Sequence, residues 1–98
     1  MFRHVVMFKW VDGVGSAHIE AMADALDALV ATVDEVVSYR HGADVGISDG
    51  NFDYAIVGDY ASVEDYEVYR DHPEHQRIIA ELIKPHVAER AAVQYRTD

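Results

Sequence analysis

From Phe2 to Val11 the chain runs through β-branched, aromatic and Met side chains, interrupted only by Arg3, His4 and Lys9. This reads as a strand that ends at the Asp12-Gly13 turn. Successive strand residues point to opposite faces, so His4, Val6, Phe8 and Trp10 share one side while Val5, Met7 and Val11 share the other. Both sides are apolar, and helices can cover only one face of a sheet. The second face needs its own cover. Another copy of the chain, packed sheet to sheet by self-complementary contact, supplies it; the alternative is a monomer whose antiparallel sheet keeps one wet face. Composition sharpens the demand. A chain of 98 residues forms one domain, residues 1–98. It buries only roughly 60 to 65% of the surface its unfolded form exposes, yet 50% of its residues are hydrophobic.

The remaining elements follow from spacing. Ser16 is read as the cap of a helix in which Ile19, Met22, Ala23, Leu26, Leu29, Val30 and Val33 form one apolar stripe. Val36 to about Val45 and Phe52 to Tyr60 read as strands joined by a turn cluster ending in Asp49-Gly50. Ser62-x-x-Asp65 opens a helix carrying Val63, Tyr66 and Tyr69. Pro73 interrupts it, because His72 before a proline is pushed out of helical geometry. A fresh helix then starts with Pro73 at its first position, turns Ile78, Ile79, Leu82 and Ile83 inward, and ends at Pro85. Ala91 to Arg96 reads as the last strand. The order is ferredoxin-like βαββαβ: an α+β fold with a four-stranded antiparallel sheet and two helices on one face.

Charge and composition remove whole classes of function. With 8 Lys+Arg against 18 Asp+Glu the net charge is −10. Phosphate backbones and anionic lipid repel such a chain, so neither nucleic acid nor membrane is an expected partner. The absence of cysteine excludes disulfides, thiolate metal sites and cysteine nucleophiles. No stretch approaches ~18 uninterrupted apolar residues, and the charges within the first apolar run do not form a signal-peptide layout. A cytoplasmic location is expected. Gly13-Val14-Gly15 lacks a third glycine for a nucleotide loop, and Ser16, Ser38 and Ser62 have no neighbouring base for serine hydrolysis.

Chemistry concentrates in Tyr66-Glu67-Val68-Tyr69-Arg70-Asp71-His72-Pro73-Glu74-His75. A histidine titrates near neutrality and serves as a general acid or base, and a tyrosine can donate to a developing oxyanion. The Pro73 break gives His75 a direction fixed by backbone. His72-x-x-His75 is a weak metal pair with no third ligand set by spacing, so His72 reads as a cap or surface residue and no metal is expected. His4 gains a functional reading if it meets His75 in space; taken alone it is a core or edge strand residue. His18, His41 and His86 read as surface. Tyr39, Tyr54, Tyr60, Tyr66 and Tyr95 read as packing residues.

These residues together resemble the stress-responsive α/β-barrel (Dabb) family. The likeness rests on His4-Val5-Val6-Met7-Phe8-Lys9-Trp10 and on the run from Phe52 through Tyr66. It continues through Tyr69-Arg70-Asp71-His72-Pro73-Glu74-His75 to Ile83-Lys84-Pro85 and Val93-Gln94-Tyr95. The resemblance implies a homodimeric α/β barrel, joined through the open sheet faces, with a pocket between sheet and helices of each subunit. It implies either binding of a small apolar or aromatic metabolite or cofactor-independent aldol chemistry, as in plant polyketide (olivetolic acid) cyclases. A cofactor-free monooxygenase is a third reading, by fold analogy alone. No cofactor is implied. By similarity His75 is the acid/base and Tyr69 its hydrogen-bonding partner, with His4 lining the pocket. The face pattern adds Val6, Phe8, Met22, Leu26, Ile56 and Ile78 to the wall. Met22, Ala23 and Leu26 stand where the cyclases tend to carry aromatic residues, which leaves the substrate outside what the resemblance transfers.

Overall fold

The computed structural model describes residues 1–97. Four strands, β1 (Phe2–Trp10), β2 (Val36–Ala43), β3 (Tyr54–Tyr60) and β4 (Val87–Arg96), form one antiparallel sheet in the order β2-β3-β1-β4. Helices α1 (Ser16–Val30), α2 (Val63–Asp71) and α3 (Pro73–Ile78) cover one face of that sheet. The ferredoxin-like order expected from the sequence is therefore present. No helix is long and apolar enough to cross a membrane among the described residues.

Several boundaries differ from the sequence reading, each for a local reason. Gly15, not Ser16, occupies the N-cap of α1 in extended geometry, and its carbonyl accepts from the His18 and Ile19 N–H groups. Ser62 does cap α2, its hydroxyl accepting from the Asp65 N–H at 3.1 Å. β2 stops at Ala43, because Asp44 turns its side chain to the Gly46 N–H and the Asn51 amide. The turn runs on to a left-handed Gly50 with φ of 85°. β4 begins at Val87, four residues ahead of the expected Ala91, since the Val11 N–H bonds the His86 carbonyl and draws that stretch beside β1. The final helix is not one α-helix to Pro85. After Ile78 it widens into a π segment, Ile79–Ile83, and then a short 3₁₀ turn, Lys84–His86.

The two faces of the sheet divide as the first strand demands. Phe2, His4, Val6 and Phe8 are buried under the helices, beside Tyr60 and Ile56 of β3. Met22, Leu26 and Ile78 fill the layer above them. At the centre Gly58 leaves room for the Tyr60 ring, since a Cβ there would lie 2.5 Å from the Tyr60 hydroxyl. Across the other face run two cross-strand rows, Val57–Val5–Val93 and Ala55–Met7–Ala91. Met7 (37%), Val93 (58%) and Tyr95 (45%) are exposed there. Above these rows Arg3 grips Asp59 with two hydrogen bonds of 2.7 and 2.9 Å. Next to the β2–β3 loop lies a shallow groove of about 530 Å³, lined by Met7, Ala55 and Phe52 among others.

Candidate functional site

Between sheet and helices lies a cavity of about 360 Å³, within the range of small-molecule sites. Its floor is His4, Val6 and Phe8 of β1 with Ile56 of β3; Leu26 closes it from α1, and Tyr66 and Tyr69 from α2. His75 stands at the start of α3, and the π segment turns both Ile79 and Ile83 inward. Arg70, Lys84, Val87 and Arg90 complete the lining. The helical layer packs on β2 and β3 rather than on β4, whose helix-facing Arg90, Ala92 and Gln94 stay exposed.

The His-Pro-x-His run builds the reactive corner. His72, at φ −58° and ψ 131°, leaves the helix as a residue before proline must, and its Nδ1 caps α3 by accepting from the Glu74 N–H at 3.1 Å. Pro73 brings no N–H, so the α2 chain cannot continue and its last carbonyls are left without helical partners. His75 takes up one of them: Nδ1 lies 2.8 Å from the Arg70 carbonyl, which also accepts from the Gln76 amide. A carbonyl only accepts, so His75 Nδ1 carries the proton and Nε2 is left as a basic lone pair. Burial holds the His75 imidazole below its ordinary 6.5 against an upward pull from the Arg70 carbonyl, so it stays neutral near neutral pH.

His4 has the opposite tautomer. The Gln94 side-chain amide donates to His4 Nδ1 at 2.9 Å, which puts the ring proton on Nε2. Burial first, then the charge of Arg90 and the proximity of His75, lower its pKa to about 4. Two rings that line one cavity thus differ at Nε2, an acceptor on His75 and a donor on His4. Tyr69 is placed differently from the expectation that it bonds His75. Its hydroxyl is paired with that of Tyr39 at 2.7 Å, and its ring packs on the His75 ring with centroids 4.2 Å apart. Burial raises Tyr69 to about 12, so it remains a neutral phenol.

Of the residues expected to line a pocket, His4, Val6, Phe8, Leu26, Ile56, Tyr69 and His75 come together. Met22 and Ile78 do not. Both have no exposed surface and pack inside the helical layer, away from the cavity lining. Tyr66, read only as a packing residue, faces the cavity and lies 5.0 Å from the His4 ring. Val87 and Arg90 were missed because the last strand was begun too late; once Arg90 is paired opposite Phe8, its side follows from alternation.

The three histidines read as surface are instead half-buried. His41 joins Tyr54 at 2.6 Å to Asp27 at 2.7 Å, and His18 bonds the Leu82 carbonyl at 2.7 Å while stacking on His86. A strand residue facing the sheet's covered side carries no mark in the sequence of the helix that will reach it. Among the described residues no group of three or more potential ligands is arranged around a metal position.

Comparison with known proteins places this arrangement. Residues 2–97 match the model of the stress responsive A/B barrel domain. A stress-response A/B barrel domain-containing protein from Arabidopsis thaliana is 31% identical over the whole of this chain, which spans 37% of that protein's length. A dimeric ferredoxin-like protein of unknown function from Thermobifida fusca is 38% identical; it superposes with a TM-score of 0.90 over 98% of this chain and 90% of its own. A hydroxynitrile lyase from Passiflora edulis shares the fold at a TM-score of 0.84 and 18% identity, covering 99% of this chain and 93% of its own.

Proposed function

The chain belongs to the stress-responsive A/B barrel domain family, and from that premise we propose that it works as a homodimer whose protomers each bind a small apolar or aromatic metabolite in the His4–His75 cavity. The observation that carries this reading is the lining itself: apolar walls of Val6, Phe8, Leu26, Ile56, Ile79 and Ile83, with one ring acceptor and one ring donor. Such a lining matches a ligand with a flat or branched body and one polar edge. The dimer is supported by the exposed Val93, Met7 and Tyr95 on the uncovered sheet face and by the dimeric relative from Thermobifida fusca.

A second reading, a cofactor-independent enzyme, is favoured by the tautomer of His75. A neutral imidazole with its free lone pair at Nε2 is set to take a proton from carbon beside a carbonyl, as in an aldol-type cyclisation. The Tyr69 hydroxyl meets that of Tyr39 at 2.7 Å, a pair in which either phenol can donate. With Tyr39 as the donor of that pair, the Tyr69 proton is left to stabilise the enolate oxygen. The same fold serves a hydroxynitrile lyase in Passiflora edulis.

One set of measurements tests both. We expect phenylbutanamide, a neutral aromatic probe, to shift the amide signals of β1 and α2 in a two-dimensional NMR titration. Ile79→Trp, which fills the cavity from a half-buried position, should abolish those shifts. Binding unchanged in that variant would place the ligand elsewhere. For the enzyme reading, His75→Ala must abolish turnover of an enolisable poly-β-keto substrate with fold and dimer intact; turnover that persists removes His75 from the chemistry.

A further inference from the structure

The cavity is apolar in its depth and cationic at its mouth. Arg70, Lys84 and Arg90 belong to its lining, and no Asp or Glu does. Of the 8 Lys+Arg in the chain, three pair with a carboxylate among the described residues. Arg3 pairs with Asp59, Arg77 with Glu74 and Glu81, and Arg70 with Asp71 at 2.8 Å and Glu67 at 3.4 Å. Of the cations that meet no carboxylate among the described residues, Lys84 and Arg90 are the two that line the cavity, and both are exposed. Arg90 stands on the helix-facing side of β4, opposite Phe8, close enough for its charge to act on His4.

Resting on the reading of the cavity as a ligand site, we propose that the metabolite is an apolar or aromatic carboxylate whose head group is held at the mouth by Lys84 and Arg90. The body of the ligand lies on Val6, Phe8, Leu26 and Ile79, and the two histidine rings meet its polar substituents on the way in. A cation without an internal partner keeps its full capacity for an incoming anion, and the guanidinium fork matches a carboxylate with two parallel bonds. The anionic surface of the rest of the protein repels the same ligand, so the mouth is also where it is steered.

Calorimetric titration of phenylbutyrate and of its neutral amide, phenylbutanamide, separates charge from shape. At neutral pH and low salt we expect the carboxylate to bind wild-type protein about tenfold tighter than the amide, the scale of a charge-assisted pair. In the Lys84→Gln/Arg90→Gln double variant, whose changes are both solvent-exposed, that preference should vanish and the two probes should bind with equal affinity. Equal affinities in wild type, or a preference that survives the double variant, overturns the anion assignment and leaves the cavity reading standing. Failure of both probes to bind overturns both.

Discussion

His4 and His75 show how the same side chain acquires two roles from its neighbours. One has its Nδ1 filled by a donor and the other by an acceptor, so their Nε2 atoms carry opposite character. Burial also gives His4 a measurable consequence. Its pKa falls from 6.5 to about 4 on folding, so the unfolded chain binds more protons than the folded one below its ordinary value. Stability is therefore full above pH ~6.5 and declines as pH drops toward ~4, by at most roughly 3 kcal/mol from this residue. Asp59, held below the usual carboxylate range by Arg3, extends the decline in the same direction at lower pH. We expect urea midpoints measured at mildly acidic and neutral pH to converge in His4→Gln relative to wild type; an unchanged difference would remove His4 as the cause. Residue type and the family resemblance together pointed to His4, Tyr69 and His75, which do line one cavity, but the expected Tyr69–His75 hydrogen bond is replaced by a Tyr39–Tyr69 pair. The Tyr39–Tyr69 pair and the Asp27–His41–Tyr54 chain were not legible in the sequence, because their partners come from elements far apart in sequence.

At the scale of elements, the break between α2 and α3 orients the site. The proline break turns the Glu74 N–H, the helical partner of the Arg70 carbonyl, to His72 Nδ1 instead, and that vacancy holds the His75 ring. Restoring a backbone N–H with Pro73→Ala allows α2 to run on, so the fourth residue beyond Arg70 competes for the carbonyl. We expect His75 to lose its single tautomer, seen in its ¹⁵N ring shifts, and the bond's contribution of about 1 kcal/mol to be lost from stability. Unchanged ring shifts would show that the proline is not what orients His75. The proline break and the capping of α2 by Ser62 were readable because both are local chemistry. The π segment was not: its apolar positions Ile79 and Ile83 satisfy an α-helical stripe equally well, and only packing around a cavity distinguishes the wider turn. The ends of β2 and β4 were misplaced for a related reason, since a side-chain turn at Asp44 and a backbone bond to His86 decide them.

For the whole molecule, a single sheet presents two apolar faces. Its covered face carries the cavity, and its other face presents Val5, Val57 and Val93 in one row and Met7 between two alanines in the next. The two-sided apolar character of the first strand announced this division, and the family resemblance carried the fold across nearly the full chain. The sequence pattern does not separate cavity walls from solid core, because both use the same residues, as Met22 and Ile78 demonstrate by falling in the core. The claim that the uncovered face belongs to a second copy is tested most directly by sedimentation equilibrium at micromolar concentration. We expect a species of about 22 kDa, twice the 11.0 kDa chain, reduced to the single-chain mass by Val93→Lys with the fold retained. A wild-type protein that sediments throughout as an 11.0 kDa monomer would contradict it.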